Sequence, residues 1–216
     1  MQENSYKEQY ARALILKHEI SAYHKELSKD KSLPEKWNTF VDCFIKLDIL
    51  RDSLKYYDEI MKNRKDLQPL AKGLRKRLDF INHLRNKVSG HLDELVLKRA
   101  LEWDPMIFQK SCEKNEKLQL ILLYKALLES AIHSYLDQNR KKEQIAFKDK
   151  IDLLIPEDVS VFYNFIGELN KDCIEFLSNI ITHISEEIEY WDKECILKIA
   201  IKAGKTDFNL KSQKKK

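Results

Sequence analysis

Glycine and proline are scarce, with four of each in 216 residues. So little punctuation predicts few and long elements. Cysteine is thin as well. Cys43, Cys112, Cys173 and Cys195 lie far apart, with no CxxC pair and no histidine in zinc-ligand spacing. They read as ordinary thiols in a reducing compartment. A Gly-rich phosphate loop, an HExxH pair and a nucleophile elbow are all missing. None of the six histidines follows a glutamate by three positions, the spacing used by carboxylate metal sites in helical bundles. Neither a metal nor any other cofactor is expected. No apolar run approaches the ~18 residues of a membrane span, and the opening MQENSYKEQY has no apolar signal core. The expectation is a cytoplasmic protein with no membrane partner.

What the chain does have is charge in a helical rhythm. Charged residues make up 34% and hydrophobic ones 43%, a globular profile rather than a disordered one. The length suits one well-buried domain. Tyr6, Tyr10, Ala13, Leu14, Ile20, Tyr23 and Leu27 recur at three- and four-residue steps, which predicts a helix over 5–29. DKSLPEKW breaks it, with Ser32 as a cap and Pro34 in the next first turn. Trp37, Phe40, Phe44, Leu47, Leu50, Leu54, Tyr57 and Met61 carry a second helix to about residue 63. A third runs from about Pro69 to Val88, and a short fourth follows the Ser89–Gly90 interruption as far as Trp103. Ser111 can cap a fifth over 112–140. After an irregular stretch, a sixth spans 159–203, bent near Gly167 or after Trp191. No strand-like alternation or internal repeat stands out. The predicted architecture is an all-α, up-and-down antiparallel bundle of five or six helices over residues 1–203, with a basic, disordered tail at 204–216. The aromatics Trp37, Phe40, Phe44, Phe162, Tyr163 and Phe165 lie at helical spacing and read as core.

The net charge of +4 conceals an asymmetry. Between Lys62 and Arg99 there are eleven Lys/Arg against four Asp/Glu, and the last twelve residues hold five lysines against one aspartate. Positive charge is therefore gathered in one stretch and the tail, while the remainder is net acidic. Such a distribution suits a phosphate-binding face. Its ordinary counterpart is a set of solvated helix faces.

Inside the basic stretch lies LRNKVSGHLDE, residues 84–94. Two other pairs share the spacing of Arg85 and His91, namely Arg12 with His18 and Arg77 with His83. Neither has an asparagine after the arginine or a helix break before the histidine. On an ideal helix six steps leave two side chains about 120° apart, so the break at Ser89–Gly90 is what could turn His91 back toward Arg85. The bland alternative is a helix-terminal arginine paired with Asp79 or Glu94 and a histidine capping carbonyls. Asp48, Asp52 and Glu59 are equal candidates for a carboxylate beside His91.

The run RNKVSGH resembles the signature of HEPN domains, helical bundles whose best-known members are metal-independent ribonucleases and toxins. Its Gly90 and the acidic Asp93 behind the histidine resemble the abortive-infection branch. The resemblance in residue identity covers about ten positions. It implies a metal-independent endoribonuclease of a bacterial phage-defence or toxin type, acting on RNA, with no cofactor. His91 would be the general acid/base, Arg85 the phosphate ligand and Asn86 an orienting residue. Lys87 and the basic residues Lys62, Arg64, Lys65, Lys72, Arg75 and Arg77 would guide the RNA backbone. The resemblance also implies a homodimer with a composite site and a possible antitoxin. Family members inhibited by nucleotidyltransferase-like antitoxins carry a tyrosine two residues after the histidine. Asp93 stands there instead, which separates this chain from that subgroup. The competing reading is a non-catalytic HEPN-like module that binds RNA or a protein partner through the same face.

Overall fold

Periodic apolar positions on α4 set the plan of the molecule. In this helix, Leu67–Val88, the residues Leu67, Ala71, Leu74, Leu78, Ile81, Leu84 and Val88 are all buried. Steps of three and four place them on one stripe. The computed structural model describes residues 2–88, 93–138, 147 and 151–203. Ser89, Gly90, His91 and the tail 204–216 lie outside the described residues.

Among the described residues there are eight α-helices and no strand. They are α1 (Gln2–Leu27), α2 (Leu33–Ser53), α3 (Asp58–Asn63), α4, α5 (Glu94–Trp103), α6 (Glu116–Gln138), α7 (Pro156–Glu187) and α8 (Lys193–Ala203). The all-α bundle expected from the sequence is what the chain forms. α1 lies mainly against α7, α2 against α4, and α5 against α6, while α4 also touches α6 and α7. The core between them is rich in aromatic rings. Phe40, Phe44, Tyr57, Phe80, Phe162 and Phe176 are fully buried. Phe40 meets Phe162 at 5.8 Å between centroids, and Phe80 meets Phe165 edge-on at 5.6 Å. Trp37 stacks on Tyr124 at 4.3 Å. These rings are core rather than stacking platforms for bases.

The elements depart from the sequence expectation at three joints. The second helix does not run unbroken to residue 63. It ends at Ser53, tightens into a 3-10 turn over Leu54–Tyr57, and resumes as α3. There the Ser53 hydroxyl donates to the Ile49 carbonyl at 2.7 Å, a back-bond that loosens a helix locally. The fifth helix begins at Glu116, and its cap is not Ser111. Asn115 accepts the Leu118 N–H at 3.1 Å, after two short 3-10 turns that use up residues 105–112. The last helix continues without interruption through Gly167 and stops at Glu187, where Ile188 turns extended. Asp192 then caps α8 by accepting the Cys195 N–H at 2.8 Å.

Cys43, Cys112 and Cys173 are buried thiols, and only Cys195 is exposed. Among the described residues no helix is long and apolar enough to cross a membrane.

Candidate functional site

The polar side of α4 is as regular as its apolar side. Gln68, Lys72, Arg75, Asp79, Asn82 and Asn86 also recur at steps of four and three, forming a second stripe that ends beside Arg85. The stripe faces the joint between α2 and α3. Arg75 donates to Asp58 at 2.7 Å, and Asn82 donates to Asp48 at 2.7 Å.

Around Arg85 the side chains form a connected frame. The Arg85 guanidinium donates to the Asn86 amide oxygen at 3.0 Å. The Asn86 amide nitrogen donates to Asn82 at 3.3 Å, and Asn82 hands the chain of bonds on to Asp48. The second carboxylate oxygen of Asp48 lies 4.0 Å from Arg85. Arg51 closes the frame from α2, at 3.4 Å from Asp48, 2.9 Å from Asp52 and 3.9 Å from Asp79. Asp48 is the hub: its side chain is only 13% exposed, whereas Arg85 is 41% exposed and faces solvent. A half-exposed guanidinium anchored from behind by an amide and a carboxylate can present its fork to an incoming phosphate.

Asp48 thus stands 4.0 Å from the arginine, while the pairing of His91 with a carboxylate, sought among Asp48, Asp52 and Glu59, falls outside the described residues. Asp52 belongs to the same frame through Arg51. Glu59 lies on α3 next to Asp58, whose partner Arg75 is about 15 Å along α4 from Arg85. Asn82 and Asp79 are participants that the motif does not reveal. Their signal is the polar stripe itself.

His91 lies outside the described residues, but both flanks of its connection are in place. Lys87, in the last turn of α4, reaches Asp93 at 2.6 Å. Asp93 also caps α5, accepting the N–H groups of Leu95 at 3.0 Å and Val96 at 3.2 Å. The Lys87 ammonium and these two amides hold the Asp93 carboxyl below its usual range. The end of α4 and the start of α5 are thus fastened together on either side of residues 89–92. Lys87 is engaged in that fastening.

The other expected RNA-binding residues divide by side of the helix. Lys62, Lys72 and Arg75 come together around one groove of about 430 Å³, floored by Met61 and Ala71. Lys65 is exposed nearby in sequence. Arg64 is taken up by a two-pronged pair with Asp66, at 2.9 and 2.7 Å. Arg77 points to the other side of α4 and pairs with Asp172 of α7 at 2.6 Å.

The two look-alike pairs are differently placed. His83 meets the Ala131 carbonyl at 3.0 Å and the Ser134 hydroxyl at 2.9 Å, bridging α4 to α6. Burial holds its imidazole below the usual value. Arg12 lies over the Tyr56 ring at 4.9 Å while His18 is exposed. Neither arginine–histidine pair converges, as the ~120° between such positions requires.

Elsewhere, Glu129 on α6 is 2% exposed. Burial pushes its carboxyl up to about 7, with Asp152 and Asp104 adding to the rise. The Leu153 backbone N–H and the Trp103 indole donate to it. Four residues on, His133 meets the Ile151 carbonyl at 3.0 Å, so both side chains tie the segment before α7 to α6. Among the described residues no group of three or more His, Cys, Asp or Glu is placed to hold a metal. No protein-family model matches the chain, and no curated protein or solved structure matches it.

Proposed function

We propose that the chain is a HEPN-like, metal-independent endoribonuclease of a bacterial defence or toxin type, with its site at the C-terminal end of α4. The observation that carries this reading is the frame Asp48–Asn82–Asn86–Arg85, which holds a half-exposed guanidinium on the helix that leads into His91. The groove of Lys62, Lys72 and Arg75 lies on the same polar stripe, suited to following a phosphate backbone toward that end.

RNA brings its own nucleophile. A base withdraws the proton of a 2′-hydroxyl, the oxygen bonds to the neighbouring phosphorus, and the P–O5′ bond breaks as an acid returns a proton to O5′. The products are a 2′,3′-cyclic phosphate and a 5′-hydroxyl. An imidazole, whose unperturbed pKa is about 6.5, suits proton transfer near neutrality, and His91 is the residue for that role. Arg85 is the cation for the charge that develops on the phosphoryl oxygens. Asn86 holds Arg85 and supplies an amide beside it. One imidazole serves as acid or base but not both together, so a two-fold homodimer that joins two α4 ends completes the pair. An antitoxin that covers Arg85 would silence such a site.

The second reading, an RNA- or protein-binding module without catalysis, rests on the acids that already neutralise much of the basic stretch. Asp66, Asp58, Asp172 and Asp93 occupy Arg64, Arg75, Arg77 and Lys87. The test is incubation of the native chain and His91→Ala with an end-labelled RNA pool in excess EDTA. Cuts that end in cyclic phosphate and vanish in His91→Ala are expected. Retention of RNA on the native chain without any cut would instead establish the module.

A further inference from the structure

Away from α4 lies a cavity of about 530 Å³, large enough for a small organic ligand. It lies between the end of α1, the first half of α2 and the middle of α7, and two of its polar groups are unusual. Lys36 is 7% exposed, yet none of the ion pairs among the described residues involves it. Its ammonium donates to the Leu27 carbonyl at 2.9 Å and sits 4.7 Å from the centroid of the Tyr163 ring. Asn170 is fully buried. Its amide oxygen accepts from the Cys43 thiol at 3.5 Å, and its amide nitrogen finds no acceptor among the described residues.

A buried cation with no carboxylate in contact, only Asp30 and Glu26 acting from a distance, and a buried donor without an acceptor each carry a desolvation cost. Both costs fall if one anion accepts from the two together. Lys171 lines the same cavity and adds a second positive charge, which with burial holds the nearby His24 imidazole below its usual value. The acids at the cavity, Asp30 and Glu168, are both exposed to solvent. The apolar wall is aromatic, with Phe40 and Tyr163 at 5.5 Å between centroids. At Gly167 an added side chain would meet nothing within 4 Å, so the helix backbone itself borders open space.

We propose that this cavity binds a small phosphomonoester carrying a flat ring, with the phosphate on Lys36, Lys171 and the Asn170 amide, and the ring against the half-buried Tyr163. Two ammonium groups and an amide donor match the charge and acceptor count of a phosphate better than those of a carboxylate. The site is independent of cleavage at α4.

Binding is measured by calorimetry on the full chain, with AMP, inorganic phosphate and adenosine as the three probes. AMP is expected to bind, with inorganic phosphate and adenosine each weaker by roughly tenfold or more. Lys171→Gln should weaken AMP by a similar factor. Gly167→Leu fills open space and improves helix propensity, so it should fold while blocking AMP. Arg85→Ala should leave AMP affinity unchanged. No heat with AMP up to about 1 mM would overturn the proposal. So would AMP binding that survives Gly167→Leu, or adenosine binding as tightly as AMP.

Discussion

Arg85→Ala is expected to slow RNA cleavage by about 10²–10³ in kcat/KM, the usual cost of removing one preorganised donor from a developing oxyanion. The expectation follows from how the guanidinium is held. Asn86 fixes one amino group at 3.0 Å, Asp48 stands 4.0 Å behind it, and the side chain is 41% exposed. Lysine keeps the charge but loses the planar fork, so Arg85→Lys should recover only part of the rate. In the proposed reaction Asp48 would act through Arg85, as a positioning residue. Asp48→Asn retains an acceptor for Asn82 but withdraws the negative charge beside Arg51 and Arg85. The RNA then meets a more positive surface behind a less firmly held arginine. KM should fall at low salt while kcat falls about tenfold, because misplacement of a catalytic group costs rate rather than affinity. Single-turnover and steady-state kinetics on a defined RNA separate the two parameters. An Arg85→Ala chain that cuts at the native rate would remove the arginine from the reaction. Equal kcat and KM in Asp48→Asn would reduce the frame to scaffolding.

The second large effect is on stability. Replacing Glu129 by glutamine should raise the melting temperature at pH 8 by roughly 6–12 °C and leave it nearly unchanged at pH 5. The sign follows from proton linkage. Folding lifts the Glu129 carboxyl from 4.5 to about 7, so the folded chain holds a proton that the unfolded chain releases. The protonated carboxyl's contribution is fully present below about pH 4.5. It declines as pH rises and is gone above 7, a loss on the order of 3 kcal/mol. Glutamine resembles the protonated acid in shape and still accepts from the Leu153 N–H and the Trp103 indole, without a charge to bury. Asp152 and Asp104, which oppose ionisation of Glu129, remain in both chains, so the difference between the two melting curves isolates residue 129. Thermal unfolding followed by circular dichroism from pH 5 to pH 9 gives the test. A constant offset at both ends would show that burial of the charge is not its source.

Much of the fold was legible because helix formation is local. The buried stripe of α4 can be read directly from the spacing of its leucines, and Ser32 with Pro34 marks the start of α2, where Glu35 accepts the Ser32 N–H at 2.9 Å. The joints were less legible. The Ser53 hydroxyl returns to Ile49 where α2 tightens, but Ser178 makes the same bond to Ile174 inside the unbroken α7, so a serine alone does not mark a joint. Asn115 overrides Ser111 as a cap because the 3-10 turns consume the residues between them. At the candidate site, Arg85 and Asn86 stand out in the sequence, whereas Asp48 does not. Which acid on α2 meets Arg85 depends on the packing of α2 against α4, and no local pattern encodes that. The fates of the basic residues are likewise non-local: Arg77 and Arg75 are two positions apart, yet one reaches α7 and the other α3. Lys36 and Asn170 have no signal in sequence at all. Only the approach of α7 to α2 makes a buried lysine and an unmatched amide neighbours of one cavity.

The most direct test of the α4 site compares an RNA oligonucleotide with its all-2′-deoxy counterpart, each incubated with the native chain in excess EDTA. Cutting of the RNA alone, with cyclic phosphate ends, is the expected result, since the attacking oxygen is the substrate's own 2′-hydroxyl. Cutting of both strands, or of neither by folded protein, would contradict it.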